Sequence, residues 1–118
     1  MRVRASSRAH RPETGIKVPA FNTSIGVIGA GSWGTALTIQ LARSGQHPTL
    51  WGREPHVISA LKEQRCNTTF LPDIKLPDNV LIEDDLHTLV AEHTDLLICV
   101  PSHAFRSVLE GIRDHLCL

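Results

Sequence analysis

The spacing of apolar residues changes several times along the chain, and each change predicts an element. Ser24-Ile25-Gly26-Val27-Ile28 is a short β-branched run that ends at Gly29, the pattern of a buried strand. Residues 33–44 place Ala36, Leu37, Ile39, Leu41 and Ala42 at helical spacing, and Gly45 follows at the position where helices stop. Thr49-Leu50-Trp51 predicts a second strand. Residues 54–65 predict a second helix, with Pro55 in its first turn and Val57, Ile58 and Leu61 on one face. A proline-bearing connection, Leu71-Pro72-Asp73 and Leu76-Pro77-Asp78, leads to a third strand at Val80-Leu81-Ile82. Asp84 and Asp85 then start a short helix that runs to Ala91, with acids at its positive end. Residues 95–100 form the most apolar strand, Pro101-Ser102 breaks it, and residues 103–116 carry Phe105, Val108, Leu109, Ile112 and Leu116 on one helical stripe.

The resulting order, β-α-β-α-β-α-β-α, is the alternation of an α/β fold with a parallel sheet and crossover helices. A strand order of 3-2-1-4 leaves residues 95–100 at an edge, where an unpaired apolar strand invites self-association. Before residue 24 the pattern is lost. Residues 1–23 mix Arg, Ser, Pro and Thr without a period, which predicts a disordered extension ahead of one domain at 24–118.

Composition sharpens this picture in two places. The formal net charge of zero hides an asymmetry: Arg2, Arg4, Arg8, Arg11 and Lys17 against Glu13 give the first 24 residues +4, and the remainder −4. A mildly acidic domain with a basic tail makes no electrostatic case for nucleic acid. The 3 cysteines have no paired spacing and the 7 histidines are scattered, so neither a disulfide framework nor a metal site is expected. A reducing compartment, the cytoplasm, is the natural reading. Residues 18–42 lack any charge, but Pro19, Gln40 and a scatter of glycines, serines and threonines interrupt them too often for a membrane span.

The candidate chemistry lies in Gly29-Ala30-Gly31-Ser32-Trp33-Gly34. This G-x-G-x-x-G leaves a predicted strand and opens a predicted helix, the context that a dinucleotide-binding loop requires. Gly29 permits the tight turn, Gly31 clears the way for a diphosphate, and Gly34 lets helix and strand pack closely. The fold is therefore read as the first part of a Rossmann-type sheet. At the tip of the second strand, where an NAD site usually holds an acid, the chain reads Trp51-Gly52-Arg53. Arg53 suits a 2′-phosphate and favours NADP, while Glu54 keeps NAD open. Trp33 must cover something, either a bound cofactor or a second domain. On its stripe, Phe105 reads as core. No catalytic triad or carboxylate pair is visible.

The runs 28–36 (IGAGSWGTA), 50–53 (LWGR), 67–77 (NTTFLPDIKLP) and 100–105 (VPSHAF) resemble NAD(P)-dependent sn-glycerol-3-phosphate dehydrogenase of the bacterial type. That resemblance implies reduction of dihydroxyacetone phosphate to sn-glycerol 3-phosphate for phospholipid synthesis, by a Rossmann domain joined to a helical domain. It implies that Ser32, Trp33 and Arg53 contact the cofactor, that Phe105 matches an aromatic near the nicotinamide, and that the full-length enzyme is a homodimer. The family's lysines and substrate phosphate site have no counterpart before Leu118, so the chain is expected to bind dinucleotide without turnover. Two alternatives stay open at this point. One is another dehydrogenase N-domain, of the 6-phosphogluconate or ketopantoate reductase type; the other is a dinucleotide-binding module without catalysis.

Overall fold

The computed structural model describes residues 1–4 and 24–115. Its main sheet has strands β1 (Arg2–Arg4), β2 (Ser24–Ile28), β3 (His47–Trp51), β6 (Leu81–Glu83) and β7 (Asp95–Ile98), in the order β1-β7-β2-β3-β6. Strands β7, β2, β3 and β6 run parallel, in the 3-2-1-4 order expected from the sequence. Helices α1 (Ser32–Arg43), α2 (Pro55–Gln64), α3 (Leu86–Glu92) and α4 (Ser102–Ile112) follow β2, β3, β6 and β7 respectively, with a short 3₁₀ turn (Arg113–His115) after the last. No helix among the described residues is long and apolar enough to cross a membrane.

Alternation along β2 divides the core. Val27 joins Leu50 beneath Ile39 of α1 and Val57 and Leu61 of α2; Ile28, one residue on, joins Leu96 and Ile98 beneath Leu89 of α3 and Val108 and Ile112 of α4. Successive strand residues point to opposite faces, so one strand serves both layers. Gly45 ends α1 in a left-handed conformation (φ 96°) that a side chain would strain. Beside it, Asn79 Nδ2 donates to the carbonyls of Ala42 and Gln46, at 3.0 and 2.9 Å, satisfying the exposed end of that helix.

Two features go beyond the expected order of elements. Within the proline-bearing connection, β4 (Cys66–Asn67) and β5 (Leu71–Lys75) pair as a small antiparallel ribbon. Arg65, in the left-handed region at φ 55°, turns the chain into it, and its guanidinium donates to the Pro77 carbonyl at 2.6 Å. The second lies before residue 24. Residues 2–4 form β1, antiparallel to β7 with Arg2 opposite Leu97 and Arg4 opposite Asp95. The Met1 carbonyl accepts from the Ile98 N–H at 2.7 Å, and Arg2 reaches Asp95 at 3.2 Å. The β7 edge expected to lie open is thus covered by the chain's own start; residues 5–23 of the expected extension lie outside the described residues.

Candidate functional site

All parallel strands end on one side of the sheet, and the connections leaving β2, β3 and β7 enclose a cleft of about 670 Å³. A crevice beyond the carboxyl ends of the strands is where open α/β sheets bind ligands. Gly29, Gly31, Ser32, Trp33, Gly34 and Arg53 all line this cleft. Phe105 does not. Half-buried, it packs against the core cluster beneath α4, as its place on the helical stripe required.

The three glycines of the loop are there for different reasons. Gly29 has φ 122°, and a Cβ on it would stand 2.2 Å from the Cys99 carbonyl oxygen. A Cβ on Gly34 would stand 1.8 Å from the Gly29 carbonyl oxygen. Both positions are closed to side chains by the protein itself. Gly31 is the opposite case: its φ of −81° suits any residue, and a Cβ there would meet nothing within 4 Å. Nothing among the described residues requires a glycine at this position, and the space it leaves faces the cleft. A fourth glycine, Gly52, lets the tip of β3 approach the loop, since a Cβ there would lie 2.5 Å from that of Ala30. That approach brings Arg53 to the rim.

Gly31 is also the N-cap of α1, which has no side-chain cap and no acid in its first turn. The open N–H groups and the aligned peptide dipoles make this end positive. The wall beside it is apolar, with Val57 and Val100 at the sides and Trp33 68% exposed at the mouth. Cys99 lies half-buried on the floor, where burial pushes its thiol above the ordinary value and makes it a poor nucleophile.

Sequence reasoning did not single out Phe70 or His103, which also line the cleft. Phe70 comes from the turn between β4 and β5, and His103 from the first turn of α4. Both stand inside the two runs most specific to the resemblance, NTTFLPD and VPSH, which was the available signal. A bound dinucleotide fits what is present: an open glycine cradle at a positive helix end, a guanidinium at the strand tip, and apolar walls.

Comparison with known proteins agrees with this geometry. The family described as the NAD-dependent glycerol-3-phosphate dehydrogenase N-terminus matches residues 24–117. Glycerol-3-phosphate dehydrogenase (NAD(P)+) of Klebsiella pneumoniae is 52% identical over 94 residues, 80% of this chain and 28% of that protein. The Bartonella henselae protein of the same name is 53% identical over 93 residues, 79% of this chain and 27% of its own length. The chain therefore spans little more than a quarter of the relatives it matches. Among solved structures, the glycerol-3-phosphate dehydrogenase of Coxiella burnetii superposes with a TM-score of 0.78 at 36% identity, over 83% of this chain and 30% of the other. The Saccharomyces cerevisiae enzyme superposes with a TM-score of 0.71 at 23% identity, over 81% and 31%, a likeness of fold alone. From residue 24 onward, this chain belongs to the NAD-dependent glycerol-3-phosphate dehydrogenase N-terminus family.

Proposed function

We propose that the chain is the cofactor-binding part of an NAD(P)H-dependent oxidoreductase of the cytoplasm. The reaction is reduction of dihydroxyacetone phosphate to sn-glycerol 3-phosphate for glycerophospholipid synthesis. The observation that carries this reading is Gly31, a glycine with open space before it in the cleft, at the uncapped start of α1. The dinucleotide, when bound, supplies a hydride from its nicotinamide ring. The chain's residues bind and orient it. The N–H groups of Gly31, Ser32 and Trp33 take the diphosphate, Arg53 takes a 2′-phosphate, and the Trp33 indole limits water at the mouth. Hydride transfer also needs a clamped substrate and a proton donor, assigned here to the part of the relatives' length beyond this chain.

Titration of both reduced cofactors against wild type and Arg53→Ala tests the reading. A charge-assisted contact made by one cofactor alone contributes about 1.5–3 kcal/mol, so wild type binds NADPH roughly tenfold or more tighter than NADH. The preference collapses in Arg53→Ala. Equal affinities in both proteins would remove Arg53 from the site. With dihydroxyacetone phosphate added, the chain shows no cofactor oxidation; steady turnover would overturn the assignment of the substrate groups.

A further inference from the structure

Asn67 is fully buried, although it opens a ribbon whose β5 strand is mostly exposed. A buried amide is costly unless its hydrogen bonds are made, and an apolar side chain would have filled the space without that demand. Its bonds are made to three different segments. Nδ2 donates to the Ala30 carbonyl at 2.8 Å, inside the glycine loop, and to Thr35 Oγ1 at 2.8 Å, in the first turn of α1. Oδ1 accepts from the Phe70 N–H at 3.0 Å, in the ribbon turn.

The first of these bonds has a consequence for the cleft. A trans peptide is planar, with its C=O and N–H pointing opposite ways. Holding the Ala30 carbonyl inward against Asn67 therefore turns the Gly31 N–H outward, away from the core. No described group accepts that N–H, and Gly31 lines the cleft. Without the amide, the Ala30–Gly31 peptide could rotate, and the loop would lose its fixed donor. The Phe70 bond ties the same side chain to a residue on the cleft wall. A role confined to folding the ribbon would need the Phe70 bond alone.

We infer that Asn67 is a positioning residue of the cleft: it aims the Gly31 N–H at the diphosphate and fixes the Phe70 segment beside it. The inference rests on the proposed dinucleotide reading. NADPH and NADH share the diphosphate, so in Asn67→Ala both lose affinity by the same factor, about tenfold, the size of one hydrogen bond to a charged group. Affinity is read on the folded fraction, set by far-UV circular dichroism at the titration temperature, so a loss of stability alone leaves it unmoved. Wild type provides an arm that needs no variant. Because coupling is reciprocal, NADPH must tighten the Asn67 contact, and hydrogen exchange of the Asn67 side-chain amide slows when it binds. Unchanged affinities in folded Asn67→Ala overturn the inference. If that variant does not fold, unchanged exchange in wild type does so. A wild-type chain that binds neither dinucleotide would instead overturn the reading of the cleft, and the inference with it.

Discussion

Helices α1 and α3 both leave the carboxyl end of a parallel strand, yet they solve the same problem in opposite ways. A helix start leaves N–H groups that the helix itself cannot satisfy. At α3 the chain supplies the acceptor: Asp85 Oδ2 receives the Thr88 N–H at 2.9 Å and the Thr88 hydroxyl at 2.6 Å. At α1 the N-cap is Gly31, with no side-chain acceptor, no acid in the first turn and open space in front. Helices α2 and α4 also start without a side-chain cap, at Glu54 and Pro101, but neither starts at a glycine. The difference teaches where an external anion belongs. The chain closes α3 with its own carboxylate and leaves α1 open, the end that the proposed function gives to the diphosphate.

The comparison can be broken by substitution, and the largest effect is expected where the loop is closed by the protein. Gly34→Ala drives a Cβ into the Gly29 carbonyl, so the loop must shift. Overpacking of this kind costs about 3 kcal/mol, to be read in a urea melt, and it takes dinucleotide binding with it. A variant as stable as wild type would mean that α1 does not pack on the loop as described. Gly31→Val separates ligand from fold. Its branched side chain fills the cradle and lowers affinity by about 100-fold, while the helical circular-dichroism signal stays. Normal binding would show that the phosphates lie elsewhere.

The tenfold change expected of Arg53→Ala is smaller, because it removes one contact at the far end of the cofactor. Smallest is the effect at α3, which sharpens the contrast by leaving the cleft alone. Bonds from the Thr88 hydroxyl and N–H hold the Asp85 carboxyl below the ordinary aspartate value. A depressed folded value means that the cap stabilises above the unfolded value and is lost as pH falls through the folded one. Asp85→Ala therefore melts lower than wild type at neutral pH, and the gap closes in acid. A gap independent of pH would assign the loss to something other than the carboxylate. Cofactor affinity is unaffected throughout.

What the sequence disclosed follows the same physical lines. The parallel strands and the four helices were legible because β-branched runs and 3.6-residue stripes mark elements buried against one another. The ribbon was not: Leu71–Lys75 holds Pro72 and Asp73 and is exposed at four of its five positions, so no alternation marks it. Arg2–Arg4 escaped for a related reason, since a charged edge strand looks like a tail. The glycine spacing marked the loop and gave each glycine its own task; the surroundings add the physical contrast, closed by the protein at Gly29 and Gly34 and open at Gly31. Asn67 reaches Ala30 across 37 residues, and a single polar residue among threonines gives no sign of that contact. Phe105 was legible from its apolar stripe, which places it against the core beneath α4.

The contrast between the two helix starts is tested most directly by amide nitrogen–proton spectra of the wild-type chain during titration with NADPH. The resonances of Gly31, Ser32 and Trp33 are predicted to shift and saturate together, with those of Leu86, His87 and Thr88 unmoved. Shifts at the start of α3 that match those at α1, or an unmoved Gly31 in a chain that binds NADPH, would contradict the account.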